Sequence, residues 1–206
     1  MSIEALVFDI GNVLVPFDWQ IFHRRVRANC PNLPAEAEKR FRELVVRMEV
    51  GEITGEAFTE QAVRAVGFPG DHGTFLSIWN GIFTSNLAME RIILALEHRF
   101  PLFLLSNTSE LHLAYLLQNW EVLQHFQDGV YSFRAKCAKP DRRIFEIALK
   151  QFGLRPENTL YIDDLAANVD SALKTGMKAI QYDLRQHADF EERLDELGLG
   201  VTVHPD

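Results

Sequence analysis

Short apolar runs alternate with helical patterns along much of the chain. The first run spans residues 4–9 and ends in Asp9. Such a run is typical of a strand that is buried on both faces of a parallel sheet. Similar runs predict strands at 102–106, 159–163 and 178–182, with a weaker one at 129–133. Helical patterns separate them, near 86–99, 109–120, 141–153, 165–176 and 187–198. The alternation predicts an α/β fold in which a parallel sheet carries helices on both faces.

The segment 17–83 breaks this pattern. It has no convincing strand and predicts helices near 18–29, 34–50, 54–66 and 71–83, which prolines and glycines separate. We therefore expect an all-helical insertion at 17–83, after the first strand. Residues 1–16 and 84–206 would form the α/β core.

Composition and charge narrow the possible functions. The 206 residues are 47% hydrophobic and 24% charged, as in ordinary globular proteins. With 21 basic and 29 acidic residues the net charge is −8, which disfavours binding to nucleic acid. We expect no membrane partner, since the first residues lack a signal-peptide pattern and no apolar stretch approaches about 18 residues. Cys30 and Cys137 lie far apart, so we expect reduced thiols in a cytoplasmic protein.

Polar residues follow the predicted strands at their carboxyl ends. In open parallel sheets, binding sites form outside these ends. The residues are Asp9, Ser106, Asn107, Asp163 and Asp164, with Lys139 ahead of the fourth strand. Carboxylates bind Mg²⁺ and can act as nucleophiles, while a hydroxyl and an ammonium can hold phosphoryl oxygens. Each residue alone is more often a cap or a turn residue, but the set indicates phosphoryl transfer.

Four segments, in this order, resemble the motifs of the haloacid dehalogenase-like hydrolase superfamily. They are Phe8-Asp9-Ile10-Gly11-Asn12-Val13-Leu14, Leu105-Ser106-Asn107-Thr108, Lys139-Pro140-Asp141 with Ile144-Phe145, and Tyr161-Ile162-Asp163-Asp164 with Ala167-Asn168, Ala172 and Gly176. The resemblance implies a Rossmann-like core with a helical cap after the first motif. The first motif, Gly51-Glu52-Ile53 and Trp79-Asn80 with Phe83 are similar to the bacterial α-D-glucose-1-phosphate phosphatase group. The fourth motif is also similar to the phosphatase domain of soluble epoxide hydrolases.

The resemblance also implies a function and a role for each polar residue. The function would be that of an Mg²⁺-dependent phosphatase, which hydrolyses a small phosphorylated metabolite such as a sugar phosphate through an aspartyl-phosphate. Carried over by motif, Asp9 would be the nucleophile. The Mg²⁺ ligands would be Asp9, Asp164 and the carbonyl of Gly11. Ser106 and Lys139 would bind the phosphoryl group, with Asn107 nearby. Asp163 would act on the water shell of the metal or orient Lys139.

The sequence departs from the family pattern at Gly11. Most phosphatases of the superfamily have a second Asp there, which protonates the leaving group and later activates water. Such general acid–base help is worth roughly 10²–10⁴-fold in rate. Either the leaving group is a good one or another residue supplies the proton. Asp18 is a possible acid/base, with helix capping as its alternative role, and His23 is a further possibility, with a surface position as its alternative.

Two further regions are candidates to shape the substrate site. The segment 134–139 is basic, with Lys136 where the family commonly has a glycine. It either broadens the anion site or is a solvated loop, and the role of Cys137 beside it stays open. In the insertion, some side chains could face the substrate, although most aromatic ones there are expected in the core of the bundle. These candidates are Phe17, Trp19, Phe22, Arg24 and Trp79.

Two other functions stay open on the sequence alone. Dehalogenases of the superfamily also lack the second Asp and need no metal, but they lack the paired acids seen at Asp163 and Asp164. A weakly active module that binds a phosphorylated metabolite is the third possibility, against which the intact Asp9 argues. The sequence does not determine the natural substrate or the oligomeric state.

Overall fold

The computed structural model, which describes residues 2–200, is built on a five-stranded parallel sheet. The strands are β1 (Ala5–Phe8), β2 (Leu102–Ser106), β3 (Asp128–Tyr131), β4 (Thr159–Asp163) and β5 (Lys178–Gln181). They lie in the order β3-β2-β1-β4-β5, so β1 is central. Phe8 is level with Leu104 on one side and Ile162 on the other. The residues that follow these three strands therefore emerge together at one edge of the sheet.

Helices cover both faces of the sheet, which confirms the predicted α/β fold. They are α1 (Trp19–Asn29), α2 (Ala35–Glu49), α3 (Gly55–Val66), α4 (His72–Asn80), α5 (Leu87–Leu96), α6 (Glu110–Asn119), α7 (Ser132–Ala135), α8 (Arg142–Phe152), α9 (Ala166–Lys174) and α10 (His187–Glu196). Along β1, Leu6 and Phe8 pack with α5 and α10, whereas Ala5 and Val7 pack with α8 and α9. Among residues 2–200, no helix has the length and apolar character needed to cross a membrane.

The observed elements differ from the predicted ones mainly at two ends. The helix predicted at 71–83 ends at Asn80, and Phe83 instead forms a bridge with the extended chain. The strand predicted at 129–133 ends at Tyr131, because Ser132 begins the short helix α7 and bonds to a neighbouring loop. Cys30 and Cys137 are free thiols, as predicted.

Helices α1–α4 pack on one another around aromatic side chains. Phe22 stacks on Phe41 with ring centres 5.0 Å apart, and the rings of Phe58 and Trp79 lie 4.9 Å apart. The N-termini of α1, α3 and α4 are capped by the side chains of Asp18, Thr54 and Asp71. Phe22 and Trp79 are fully buried here, so they belong to the core of the bundle and do not face a substrate.

The two connections between this helical segment and the sheet lie side by side. Phe17 and Phe83 pair as an isolated antiparallel bridge. The N–H of Thr84 donates to the carbonyl of Pro16 at 2.9 Å. The segment therefore leaves and rejoins the sheet at one place, a few residues after β1.

Candidate active site

Asp9 follows β1, and its carboxylate is held from several sides. Its Oδ1 accepts the N–H of Ile10 at 2.7 Å and lies 2.9 Å from the ammonium of Lys139. The hydroxyl of Ser106, at the end of β2, also hydrogen-bonds to it. Burial raises the pKa of Asp9 to about 6, against the opposing effect of Lys139. The carboxylate form therefore predominates at neutral pH, in a fixed orientation.

Lys139 lies just before α8, and its side chain is only 1% exposed. Besides Asp9, its Nζ contacts Asp163 Oδ2 at 2.7 Å and the carbonyl of Leu105 at 2.9 Å. An ammonium has three N–H donors, so each has a partner. Burial alone would lower the pKa of Lys139, but the two carboxylates raise it above its ordinary value and keep the ammonium charged. A phosphoryl oxygen would reach Lys139 only by replacing one of these partners.

Asp163, the last residue of β4, is fully buried, and both of its oxygens accept several hydrogen bonds, with the amide of Asn168 shared between them. Oδ2 accepts the ammonium of Lys139 and the hydroxyl of Tyr161. Oδ1 accepts the N–H of Leu165 at 2.8 Å and the amide of Asn168 at 2.9 Å. Of the two roles that the family resemblance implies for Asp163, the geometry therefore favours the orientation of Lys139.

Asp164 is half-buried and more open than its neighbour. Its Oδ2 accepts the amide of Asn12 at 3.1 Å, and burial raises its pKa. One oxygen each from Asp9, Asp163 and Asp164 lie within 4.8 Å of one another. Both oxygens of Asp163 are already engaged in hydrogen bonds. Asp9 and Asp164 are therefore the pair that fits a hard cation such as Mg²⁺, which binds few carboxylates and keeps several waters.

Asn107 lies at the predicted place, but both ends of its amide are engaged. Its Oδ1 accepts the N–H of Lys139 at 2.8 Å, and its Nδ2 donates to the carbonyl of the same residue at 2.9 Å. The side chain thus clamps the backbone of Lys139, and phosphate binding by Asn107 stays a prediction. The next residue, Thr108, exchanges two hydrogen bonds with the hydroxyl of Ser132, which ties the loops after β2 and β3 together.

Gly11 lies against an aromatic ring. A Cβ atom added at Gly11 would come within 2.8 Å of Cε1 of Phe17, closer than a real Cβ contact allows. The Phe17 ring is held by edge contacts with Trp19 and Phe83, with ring centres 5.9 and 6.3 Å apart. Asn12 supports the loop by accepting the N–H of Phe17 at 3.3 Å. A longer side chain at the position where most phosphatases of the superfamily carry their acid would therefore require the Phe17 ring to move.

A cavity of about 90 Å³ opens between this edge of the sheet and the helical segment. Phe17, Trp19 and Phe83 form an apolar wall, so two of the insertion residues named from the sequence do face the site. Its polar lining includes Glu49, Ser106, Asn107 and His112. The cavity thus joins residues beside the candidate nucleophile to residues of the helical segment.

Glu49, the last residue of α2, lines the cavity although no sequence pattern predicts it there. Burial raises the pKa of its carboxyl to about 7. Within residues 2–200 its side chain has no hydrogen-bond or ion-pair partner. Glu49 lies at the end of a highly charged helix, where the sequence pattern predicts a side chain exposed to solvent. The one local sequence feature that sets this helix end apart is the turn at Gly51, two residues later.

His112, on α6, faces the same cavity. Its ring stacks on Trp79 with centres 4.5 Å apart and hydrogen-bonds to the backbone of that residue. Its Nε2 has no partner in the described part of the chain. Burial lowers the pKa of His112 to about 4, so the ring is neutral at pH 7.

The two acid/base candidates from the sequence lie outside the lining of this cavity. Asp18 is exposed and caps α1 by accepting the N–H of Gln20 at 2.8 Å. His23 is exposed on the same helix, as is the cap candidate Arg24. The geometry therefore favours the capping role of Asp18 and the surface role of His23.

The basic segment after β3 holds the helical segment in place. The ammonium of Lys136 donates to the carbonyl of Gly51. A Cβ at Gly51, whose φ is +68°, would lie 2.1 Å from the carbonyl oxygen of Phe133, so the two backbone segments are in contact. The N–H of Gly55 donates to Glu110 on α6. Lys136 is therefore used in a contact between segments, which neither of its two predicted roles included.

Comparison with known proteins finds relatives that match over most of the chain. A curated relative, the D-ribitol-5-phosphate phosphatase of Bacteroides thetaiotaomicron, is 24% identical over an alignment of 204 positions that covers 93% of this chain and 97% of that protein. A solved HAD family enzyme of the same organism, in complex with magnesium and inorganic phosphate, matches with a TM-score of 0.80 and 23% identity, over 89% of this chain and 96% of that one.

The fold also matches a relative with different chemistry. The L-2-haloacid dehalogenase of Xanthobacter autotrophicus gives a TM-score of 0.63 at 17% identity, over 99% of this chain and 85% of that one. The family model described as haloacid dehalogenase-like hydrolase matches residues 3–176, most of the chain. On that match, together with the sheet and the residues at its edge, this chain belongs to the haloacid dehalogenase-like hydrolase family.

Proposed function

We propose that this protein is an Mg²⁺-dependent phosphatase that acts on a small phosphorylated metabolite, with sugar or sugar-alcohol phosphates as the preferred class. The observation that carries the proposal is the oriented carboxylate of Asp9, held by a fully partnered Lys139 and lying beside the open Asp164. The relative that acts on ribitol 5-phosphate supports the substrate class. The resemblance to the α-D-glucose-1-phosphate phosphatase group makes anomeric phosphates the first to test.

In the proposed reaction, Asp9 attacks the phosphorus atom in line with the leaving oxygen. An aspartyl-phosphate forms, and water then hydrolyses it. Ser106 and Lys139, which both contact Asp9 in this structure, would transfer their hydrogen bonds to the phosphoryl oxygens as charge develops on them. Asp163 keeps Lys139 aimed at this point.

Asp9 and Asp164, with the carbonyl of Gly11, would hold the Mg²⁺ ion. When bound, the ion neutralises charge on the phosphoryl group. The burial that raises the pKa values of both carboxylates would be offset by the cation, since a nearby positive charge favours their ionised forms.

The domain division is part of the same proposal. Residues 1–16 and 84–206 would form the hydrolase core, and residues 17–83 would form a cap that selects the substrate. The lining of the cavity by Phe17, Trp19 and Glu49 supports this division. We propose no nucleic-acid partner, given the net charge of −8.

The nucleophile is tested by Asp9→Asn, with Asp170→Asn on the exposed face of α9 as its matched control. We expect Asp9→Asn to abolish phosphate release from a panel of phosphorylated sugars, sugar alcohols and 4-nitrophenyl phosphate in the presence of Mg²⁺. The control should keep the rate of the wild type. An Asp9→Asn variant that is as active as the wild type would overturn the assignment.

Removal of the metal distinguishes phosphatase activity from the alternative dehalogenase activity. We expect EDTA to stop phosphate release and added Mg²⁺ to restore it. The enclosed Gly11, without an acid, is the observation that favours a dehalogenase. Halide release from 2-haloacids that persists in EDTA, without phosphatase activity, would replace the present proposal.

A further inference from the structure

The packing of Phe17 on Gly11 leaves the first loop without a proton donor for the leaving group. An alcohol leaves phosphorus poorly as an alkoxide, so hydrolysis of a sugar phosphate gains roughly 10²–10⁴-fold from a placed acid. Asp18 and His23 are exposed on or beside α1. For an alkyl phosphate substrate, the donor would therefore have to come from another element that reaches the cavity.

Glu49 reaches it from the helical segment. It lines the cavity together with Gly11, Ser106 and Asn107. Of the residues that line this cavity in the described part of the chain, Glu49 is the one carboxyl group. No other side chain there engages it, so its proton is available to a bound molecule.

The surroundings of Glu49 hold it in position and favour its protonated form. The turn that follows it is fixed by the bond from Lys136 to Gly51. Burial raises the pKa of Glu49 to about 7, so a large share of the carboxyl is protonated at neutral pH. The neighbouring His112 is buried and neutral, so it does not carry the spare proton of an imidazolium.

We propose that Glu49 is the general acid and base of this enzyme, acting from the helical segment in place of a residue at position 11. The inference rests on the phosphatase function proposed above. As the bond from Asp9 to phosphorus forms and the bond to the leaving oxygen breaks, the Glu49 proton passes to that oxygen, which departs as an alcohol. The Glu49 carboxylate then takes a proton from the water that attacks phosphorus, and Asp9 is released with inorganic phosphate.

Glu49→Gln is the test, because it keeps the size of the side chain and removes its proton. Glu52→Gln is the matched control, since Glu52 is exposed three residues away and pairs only at 3.4 Å with Arg47. Both variants are assayed with Mg²⁺ on ribitol 5-phosphate and on 4-nitrophenyl phosphate. The nitrophenol of the second substrate is acidic enough to leave without a proton. The measured parameter is kcat/KM. It depends on the steps up to departure of the leaving group and not on the later attack by water.

We expect Glu49→Gln to lower kcat/KM about 10²–10³-fold for ribitol 5-phosphate and by less than about fivefold for 4-nitrophenyl phosphate. Glu52→Gln should change neither. Equal losses on both substrates would assign Glu49 to binding or folding and overturn the proposal, as would an unchanged rate on the alkyl phosphate. So would a wild type that hydrolyses only the nitrophenyl ester. A wild type that hydrolyses no phosphate ester would instead overturn the proposed function.

Discussion

Two groups of ionisable residues meet at this site, and they differ in whether their buried side chains have charged partners. At the edge of the sheet, Asp9, Lys139 and Asp163 are buried, and the ammonium of Lys139 pairs with both carboxylates. Across the cavity, the half-buried Glu49 and the buried His112 have no charged partner within residues 2–200, and desolvation moves both pKa values toward the neutral form. Pairing keeps buried groups charged and fixes their position, whereas burial without a partner favours the neutral form. The first group suits attack on phosphorus, and in the second group the carboxyl of Glu49, with its pKa of about 7, suits proton transfer at neutral pH.

The sharpest way to break the paired group is Lys139→Met, which leaves two buried carboxylates without their cation. We expect a loss of about 3–5 kcal/mol in the free energy of unfolding, because an uncompensated buried charge is costly. Phosphate release should fall below detection. Urea unfolding and phosphate assays measure the two effects.

The control for this change is Lys150→Met, at an exposed position of α8. Its free energy of unfolding should stay within about 0.5 kcal/mol of the wild type. Similar losses in both variants would mean that the buried pairing has no special energetic role.

The unpaired group is probed through the pH dependence of stability. Folding lowers the pKa of His112 from 6.5 to about 4, so the unfolded chain binds its proton first as pH falls. The stability that the neutral ring provides is therefore present above pH 6.5 and is lost toward pH 4. Relative to His112→Phe, the wild type should lose up to about 3 kcal/mol over this range.

Urea unfolding of both proteins at several pH values measures this difference, in which shared carboxylates cancel. Glu49 acts with the opposite sign, since its pKa is raised to about 7 and its stability contribution is lost as pH rises toward 7. It is present in both proteins and so cancels to first order. Parallel pH curves for wild type and His112→Phe would show that His112 is not shielded from water in solution.

The smallest expected effect concerns the contact that holds the two groups together. Lys136→Met removes the bond to the Gly51 carbonyl and should cost about 1 kcal/mol in stability. Because Glu49 lies two residues before this carbonyl, KM for the sugar-alcohol phosphate should rise a few-fold. Lys174→Met, at an exposed position on α9, is the control. An unchanged KM would indicate that the turn keeps its place without Lys136.

The paired group could be predicted from the sequence, and the unpaired group could not. Apolar runs locate the strands, and the topology of a parallel sheet then brings Asp9, Ser106 and Asp163 to one edge. Glu49 lies at the end of a charged helix, where local pattern gives no information about what the helix end faces. Its burial comes from tertiary packing between distant segments. For the same reason, local spacing suggested Asp18, which the structure places at a helix cap.

The roles of Asn107 and Lys136 show the same limit at finer scale. Both lie where the motifs put them, yet their side chains bond to backbone groups that no motif specifies. Sequence order predicts which residues gather, whereas the direction of each polar group depends on the local backbone. The positive φ of Lys136, +57°, is one such detail.

The ring of Phe17 over Gly11 also has an evolutionary consequence. A change of Gly11 to Asp alone would drive the new side chain into a ring that Trp19 and Phe83 hold in place. A smaller residue at position 17 alone would open space without adding an acid. An acid at position 11 and a smaller residue at position 17 are therefore coupled requirements, and restoring the acid to the first loop calls for both changes in the same protein.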